Sequence, residues 1–456
     1  MDILTLKKAT KEAKKLITPP NSPRRWVLLN DCTEHSVWGF DSDNSTVGEE
    51  SVSISTVSDV DTSDIPFWIA SDAKKPWLSS RDKTIATMTK IEVSEQGSAF
   101  VYLPVPPQDF SQSGDYCAML WVDTLSSDAD SSIIVNHVLY HSVEEWFYQR
   151  YQMSFDCITS SAVGTPGDWN QFIIPSPRIM WTGPRTWIQE RPGPPYGVQH
   201  LENVRFIGLR ITNNTPGKTA RIYISGIFRV ENELDKGKLI IDFDDGLISH
   251  YTEAFRYMHG VYGYKGNCSV NGLTVGTEGH MNINQLDEMY QQGWDITNHT
   301  WDHGALTGTG AEQYTRIKQN HDFLVSNGWS RGARTLVYPG GSHNRRTRHI
   351  AESIGVKVTR GGGYVLYHTV PGFKRWNTYS HDVGGFSEAG FRANLEHIES
   401  NKLLWHVHAH TIGDTGYKPW SVANFQACID AIGDYDVDVL SWSDWIDQYV
   451  LPDMIN

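Results

Sequence analysis

Two patterns of hydrophobic and polar spacing divide the chain near residue 235. From about Arg25 to Glu233, apolar and polar residues alternate in short runs, such as Ser51-Val52-Ser53-Ile54-Ser55 and Ala99-Phe100-Val101-Tyr102-Leu103. Further runs are Cys117–Val122, Phe206–Ile211 and Ala220–Ile227, each bounded by Gly, Pro, Ser or Asp. Period two with frequent turn residues predicts an all-β sandwich over 25–233. After Lys236-Gly237-Lys238 the pattern becomes α/β. A buried strand, Leu239–Phe243, precedes a helix around Tyr251–Met258, a helix over Asn282–Gln292 and a strand at Trp294–Asn298. A helix over Ala311–Asn327, a strand at Thr335–Tyr338, a strand at Val437–Leu440 and a last helix from Asp444 to Tyr449 continue the alternation. Repeated βα units predict a barrel-like parallel sheet over 236–456, with its chemistry where strands end and loops begin. Residues 1–24 read as a short amphipathic helix, Leu4, Leu6, Ala9, Ala13 and Leu16 against lysines, stopped by Pro19, Pro20 and Pro23. This segment is either a docking or oligomerisation peptide or a frayed terminus.

Length and charge narrow the class. A chain of 456 residues exceeds one hydrophobic core. The net charge of −14, with no long basic stretch beyond the first turns, argues against a nucleic-acid partner. No run approaches the length of a membrane span, and the first residues lack the apolar core of a signal peptide. An extracellular or virion-associated protein would therefore leave the cell by another route, such as release within a phage particle. The 17 Trp and 20 Tyr suit either sandwich core packing or stacking against sugar rings. Cys32, Cys117, Cys157, Cys268 and Cys428 show no paired spacing, which predicts buried free thiols.

Four clusters could carry chemistry. Asp242-Phe243-Asp244-Asp245-Gly246 ends the first α/β strand, and its adjacent carboxylates call for a cation or arginine; alone it also reads as an Asp-Gly turn. His299 and His303, in Asn298-His299-Thr300-Trp301-Asp302-His303, would share a face if a helical turn begins there. With Asp245 they supply two nitrogens and one carboxylate oxygen, a set that leaves positions open on a catalytic zinc-type ion. In Tyr338-Pro339-Gly340-Gly341, either an ordinary turn or a groove, Tyr338 and Pro339 would form a wall while the Gly340 N–H faces a developing oxyanion. His406, His408 and His410 fall on one face of a strand by period two.

In this order and at predicted strand ends, these motifs resemble the polysaccharide deacetylase (NodB-homology) family over about 236–450. The resemblance implies a distorted (β/α) barrel and a divalent metal, zinc foremost. It implies Asp244 as base, Asp245, His299 and His303 as metal ligands, and "YPxG" as the groove wall of the biofilm-polysaccharide branch. Many members carry an arginine two residues before that proline, where this chain has Val337. Arg375 best resembles the arginine that pairs with the base, Arg360 being the reserve, and His410 rather than His408 resembles the terminal histidine. Asp242 stands where Thr or Ser is usual, so an extra carboxylate either raises the Asp244 pKa or points away. More loosely, "GDWNQFIIP", "VRFIGLRITNN" and "RIYISGIFRV" resemble jelly-roll modules of the carbohydrate-binding type.

The resemblance implies hydrolysis of acetyl groups on an acetylated polysaccharide. Metal and base would activate water, the Gly340 N–H would stabilise the oxyanion, and His410 would protonate the leaving nitrogen. Two alternatives stay open: a non-catalytic glycan-adhesion or virion tail protein that finds its tail partner or a second copy through residues 1–24, and an O-acetyl esterase on the same scaffold.

Overall fold

The computed structural model describes residues 26–451, apart from 31–33, 41, 43–44, 62–84, 109–114, 124–132, 141–149, 157–167, 175–187, 190–203, 215, 231–233, 344, 362–366 and 369–377. The expected helix over residues 1–20 lies outside the described residues. The chain divides into two compact units, Met1–Glu233 with Asn456 and Leu234–Ile455.

The first unit holds two antiparallel six-stranded sheets. One runs Val52–Asp61, Ile85–Val93, Ala220–Val230, Asp115–Asp123, Asp168–Ile174, with Trp26–Asn30 also paired to Ala220–Val230. The other runs Ile188–Gln189, Arg150–Asp156, Ile133–Tyr140, Val204–Asn213, Gly97–Gln108, Gly39–Phe40. Alternation works as the pattern requires. Ala99, Val101 and Leu103 are buried and stand opposite Ile211, Leu209 and Ile207, also buried.

In the second unit the strands are β1 (Gly237–Asp244), β2 (Asn267–Val270), β3 (Asp295–Asn298), β4 (Thr335–Val337), β5 (Val358–Gly361), β6 (Tyr367–His368), β7 (Thr378–Tyr379), β8 (His381–Asp382), β9 (Leu404–Ala409) and β10 (Val437–Leu440). The sheet order is β6-β9-β1-β2-β3-β4-β5-β7, parallel except for β6 on β9. One thin strand curls the sheet back on itself. Thr378–Tyr379 pairs with β5, and beyond Ser380 His381–Asp382 pairs with β9. Helices α1 (Arg256–Tyr262), α2 (Ile283–Gln291), α3 (Gly310–Ser326), α4 (Arg345–Ile354), α5 (Glu388–Asn401) and α6 (Val422–Ile432) connect the strands.

Local sequence explains the elements. β1 is buried along its whole length, as an apolar run inside a parallel sheet should be. Capping boxes start α2 at Asn282–Gln285 and α3 at Thr309–Glu312, so these helices begin where the sequence has an Asx or Thr followed three residues later by Gln or Glu. The largest fully buried side chains include Trp294, Trp329, Trp405, Trp420, Trp442 and Trp445, all in the α/β unit. In the first unit Trp38 is buried as well. Cys268 and Cys428 are free and buried.

The parallel strands all aim their C-terminal ends the same way. Asp244 ends β1, His299 follows β3, Tyr338 follows β4, Arg360 is next to last in β5, and His410 follows β9. The five segments thus meet at one mouth.

Candidate active site

Asp245, His299 and His303 converge. Asp245 Oδ1 lies 3.5 Å from His299 Nε2 and 3.4 Å from His303 Nε2. Donor atoms at 2.0–2.1 Å from one tetrahedral ion stand about 3.4 Å apart, so both Asp245–histidine distances match those of a zinc-type ion's ligands. His299 is buried, while His303 is half exposed and leaves one side of the group open. Donation from His299 Nδ1 to the Val337 carbonyl at 2.9 Å leaves the Nε2 lone pair facing Asp245. Burial, followed by repulsion from His299, lowers the His303 pKa and favours the neutral, ligating imidazole. Burial pushes the Asp245 carboxyl up, but the neighbouring His299 holds it below its ordinary value.

The loop reaches this geometry differently from the expected helical turn. Residues 299–303 form no helix; Thr300 (φ 65°) and His303 (φ 56°) are left-handed, as is Asp245 (φ 74°). The rings still meet edge-to-face with centroids 4.8 Å apart. Three unfavourable backbone conformations at one mouth need support from their surroundings. A buried amide network supplies it. Asn271 Nδ2 donates to the carbonyls of His299 (2.5 Å) and Thr300 (3.2 Å), and Thr300 N donates to Asn298 Oδ1 (2.9 Å). Asn320 donates to Asn298 Oδ1 (2.9 Å) and Val270 O (2.8 Å) and accepts from Gly272 N (2.8 Å). Sequence reading missed Asn271 and Asn320, because a buried amide leaves no periodic signature.

Beside this group stands Asp244, with His408 and His410 bringing ligand-type atoms within 4.8 Å of it and of one another. Asp244 is buried and ion-paired with Arg360 Nη2. Burial pushes the Asp244 carboxyl up, but the Arg360 guanidinium, then His299, His408 and His410, hold it well below the carboxylate range. Arg375 lies outside the described residues, and the reserve candidate Arg360 makes the contact. Arg360 also stands opposite Val337 in the β4–β5 register, so β5 carries the guanidinium one strand away from Val337.

The Asp244 pKa is lowered overall despite the nearby Asp242, which is held by partners of its own. Asp242 Oδ2 accepts from His406 Nε2 (2.9 Å) and Trp442 Nε1 (3.1 Å), and Arg360 Nη1 lies 3.7 Å away. The three histidines thus divide: His406 is fully buried on Asp242, while His408 Nδ1 shares a hydrogen bond with Ser380 Oγ at 2.8 Å. His410 is partly exposed, with its Nε2 4.0 Å from Asp244 Oδ2. Burial lowers the pKa of both His408 and His410.

The groove-wall expectation needs correction. Tyr338 is only 2 % exposed and stacks on His343 with centroids 4.4 Å apart, and Pro339 is buried too, so neither side chain stands free as a wall. Gly340 is exposed and left-handed (φ 58°), with open space where a side chain would begin.

Residues 231–359 match the polysaccharide deacetylase family. Bacillus subtilis YxkH, named as a polysaccharide deacetylase, is 30 % identical over 120 residues, which are 26 % of this chain and 43 % of YxkH. The chain thus spans less than half of that curated relative. Streptococcus pyogenes deacetylase PplD, solved with acetate, is 24 % identical with a TM-score of 0.28, over 31 % of this chain and 62 % of that one. The family 4 carbohydrate esterase from Streptomyces lividans, also solved with acetate, is 12 % identical with a TM-score of 0.34, over 45 % of this chain and 92 % of that one.

Proposed function

We propose, for a chain whose residues 231–359 match the polysaccharide deacetylase family, that the second unit hydrolyses acetyl groups from an acetylated polysaccharide with a divalent metal, zinc foremost. The observation that carries this reading is the convergence of Asp245, His299 and His303, whose ligand-type atoms lie within 4.8 Å of one another, beside an ion-paired aspartate. A bound ion would supply Lewis acidity toward water and the acetyl carbonyl. The residues around it divide the remaining work. Asp244, kept ionised by Arg360, takes a proton from the attacking water. The exposed Gly340 N–H donates to the oxyanion, and the partly exposed His410 gives a proton to the departing nitrogen. Asp242, His406 and Trp442 fix the floor beneath Asp244.

The two antiparallel sheets of the first unit support reading it as a jelly-roll sandwich that binds or spaces glycan. Deployment outside the cell or on a virion, with residues 1–24 docking to a tail or to another copy, fits that order of parts. Among the described residues no helix is long and apolar enough to cross a membrane.

Acetate release from an N-acetylated glucosamine oligosaccharide and from its O-acetylated counterpart tests the activity and decides the bond. Asp244→Asn should keep the metal and lose turnover by about 10²–10⁴-fold, the usual contribution of a positioned base. Turnover at the wild-type rate would remove Asp244 from that role.

A further inference from the structure

The ladder between β1 and β9 ends at Phe243 opposite Ala409. Beyond it β1 turns away through the left-handed Asp245, so the carbonyl of His410, next in line, has no strand partner among the described residues. A part-buried carbonyl at that point calls for a donor. His250 provides it from a different element, the π-helical turn His250–Phe255: its Nε2 lies 2.7 Å from His410 O. Because that acceptor is a carbonyl, Nε2 carries the proton and Nδ1 is the acceptor. Cys268 Sγ, 3.6 Å from Nδ1, stands where its thiol can donate. The ring is fully buried and lies against Phe243 with centroids 5.4 Å apart. The neighbouring Ser249 Oγ accepts from Ile412 N at 3.3 Å, so two consecutive residues grip the backbone on both sides of Thr411. Burial lowers the His250 pKa to about 4, which keeps this neutral arrangement in place at neutral pH.

We infer that His250 is a positioning residue for the hydrolysis: through the His410 carbonyl it sets the ring of His410 at the height where that ring can protonate the leaving nitrogen. The inference rests on the proposed role of His410 as acid. It has a signature that general damage to the fold lacks. An amide nitrogen must be protonated to depart, whereas 4-nitrophenolate leaves unaided. Loosening His410 should therefore slow the first substrate and spare the second.

The test uses the full chain with metal bound and two probes, an N-acetylglucosamine oligosaccharide and 4-nitrophenyl acetate. His250→Leu keeps the bulk and removes the donor. It should lower kcat on the oligosaccharide by about 10–100-fold, within the range of general acid catalysis, with KM and metal content unchanged. Its 4-nitrophenyl acetate rate should stay within about twofold. His250→Gln restores an N–H and should recover most of the oligosaccharide rate. Parallel loss on both probes, an unchanged oligosaccharide rate, or failure of His250→Gln to recover activity each overturns the inference. His410→Ala separates the two levels. If it shows the split between probes and His250→Leu does not, the acid assignment stands and the positioning role falls. If His410→Ala shows no split, both fall.

Discussion

Removing the guanidinium of Arg360 should be among the most damaging single changes in the second unit. Arg360 and Asp244 have side chains only 6 % and 5 % exposed, so Arg360→Met leaves a carboxylate buried without its cation. Breaking a buried pair from one side costs about 3–5 kcal/mol. For a unit the size of Leu234–Ile455, about 2–4 °C per kcal/mol converts this to a fall in Tm of roughly 6–20 °C. The penalty belongs to the orphaned charge, so Asp244→Asn/Arg360→Met should regain at least half of it, which calorimetry of the single and double variants would show. The pH dependence has a fixed sign. The Asp244 pKa is held below that of the unfolded chain, so its stabilisation is present at neutral pH and fades as pH falls below about 4. In Arg360→Met burial prevails and the folded pKa rises, so the stability gap to the wild type should narrow on acidification. Acetate release should fall by about 10²-fold or more, because a protonated Asp244 takes no proton from water. A Tm within 2 °C of the wild type, or a double variant no more stable than the single, would refute this account of the pair.

Two further outcomes follow from buried groups. His343 is buried against Tyr338, and burial lowers its pKa to about 4 although its Nδ1 donates to the Gly341 carbonyl. Between pH 6.5 and 4 the unfolded chain takes up this proton and the folded one does not, so stability falls across that window by at most about 3 kcal/mol. His343→Phe should flatten the stability–pH slope there, and a slope equal to the wild type's would rule His343 out as a source. Asn320→Leu strips partners from Gly272 N and Val270 O, so about 2–4 kcal/mol of stability should go. It should also weaken metal affinity by about 10–100-fold, as loss of support behind a ligand does; unaltered affinity in a calorimetric metal titration would show that the loop does not need this network.

Much of the second unit was legible from sequence, and the reasons are physical. Strands buried on both sides read as unbroken apolar runs, and Asn282 and Thr309 announce helices through their own capping chemistry. Asp245, His299 and His303 could be named because ligating residue types at strand ends are rare coincidences. How they meet was hidden: the backbone turns through left-handed Thr300 and His303, and nothing in an H-x-x-x-H spacing separates that from a helical turn. Arg360 was the reserve choice because pairing with Asp244 depends on β5 lying beside β4, a long-range register. Asp242 looked like a second charge on the base, yet its oxygen is taken by His406 and Trp442, the latter 200 residues away in sequence. Tyr338 looked like a wall because aromatic character does not reveal direction.

Metal content of the purified full chain and of single variants tests the central claim most directly. The wild type should hold one divalent ion per chain after dialysis. Asp245→Ala, His299→Ala and His303→Ala should each lose it, and Asp244→Asn should keep it, with acetate release following occupancy in the wild type as a chelator removes the ion and zinc restores it. Full occupancy in His299→Ala or Asp245→Ala, or acetate release untouched by the chelator, would contradict the account.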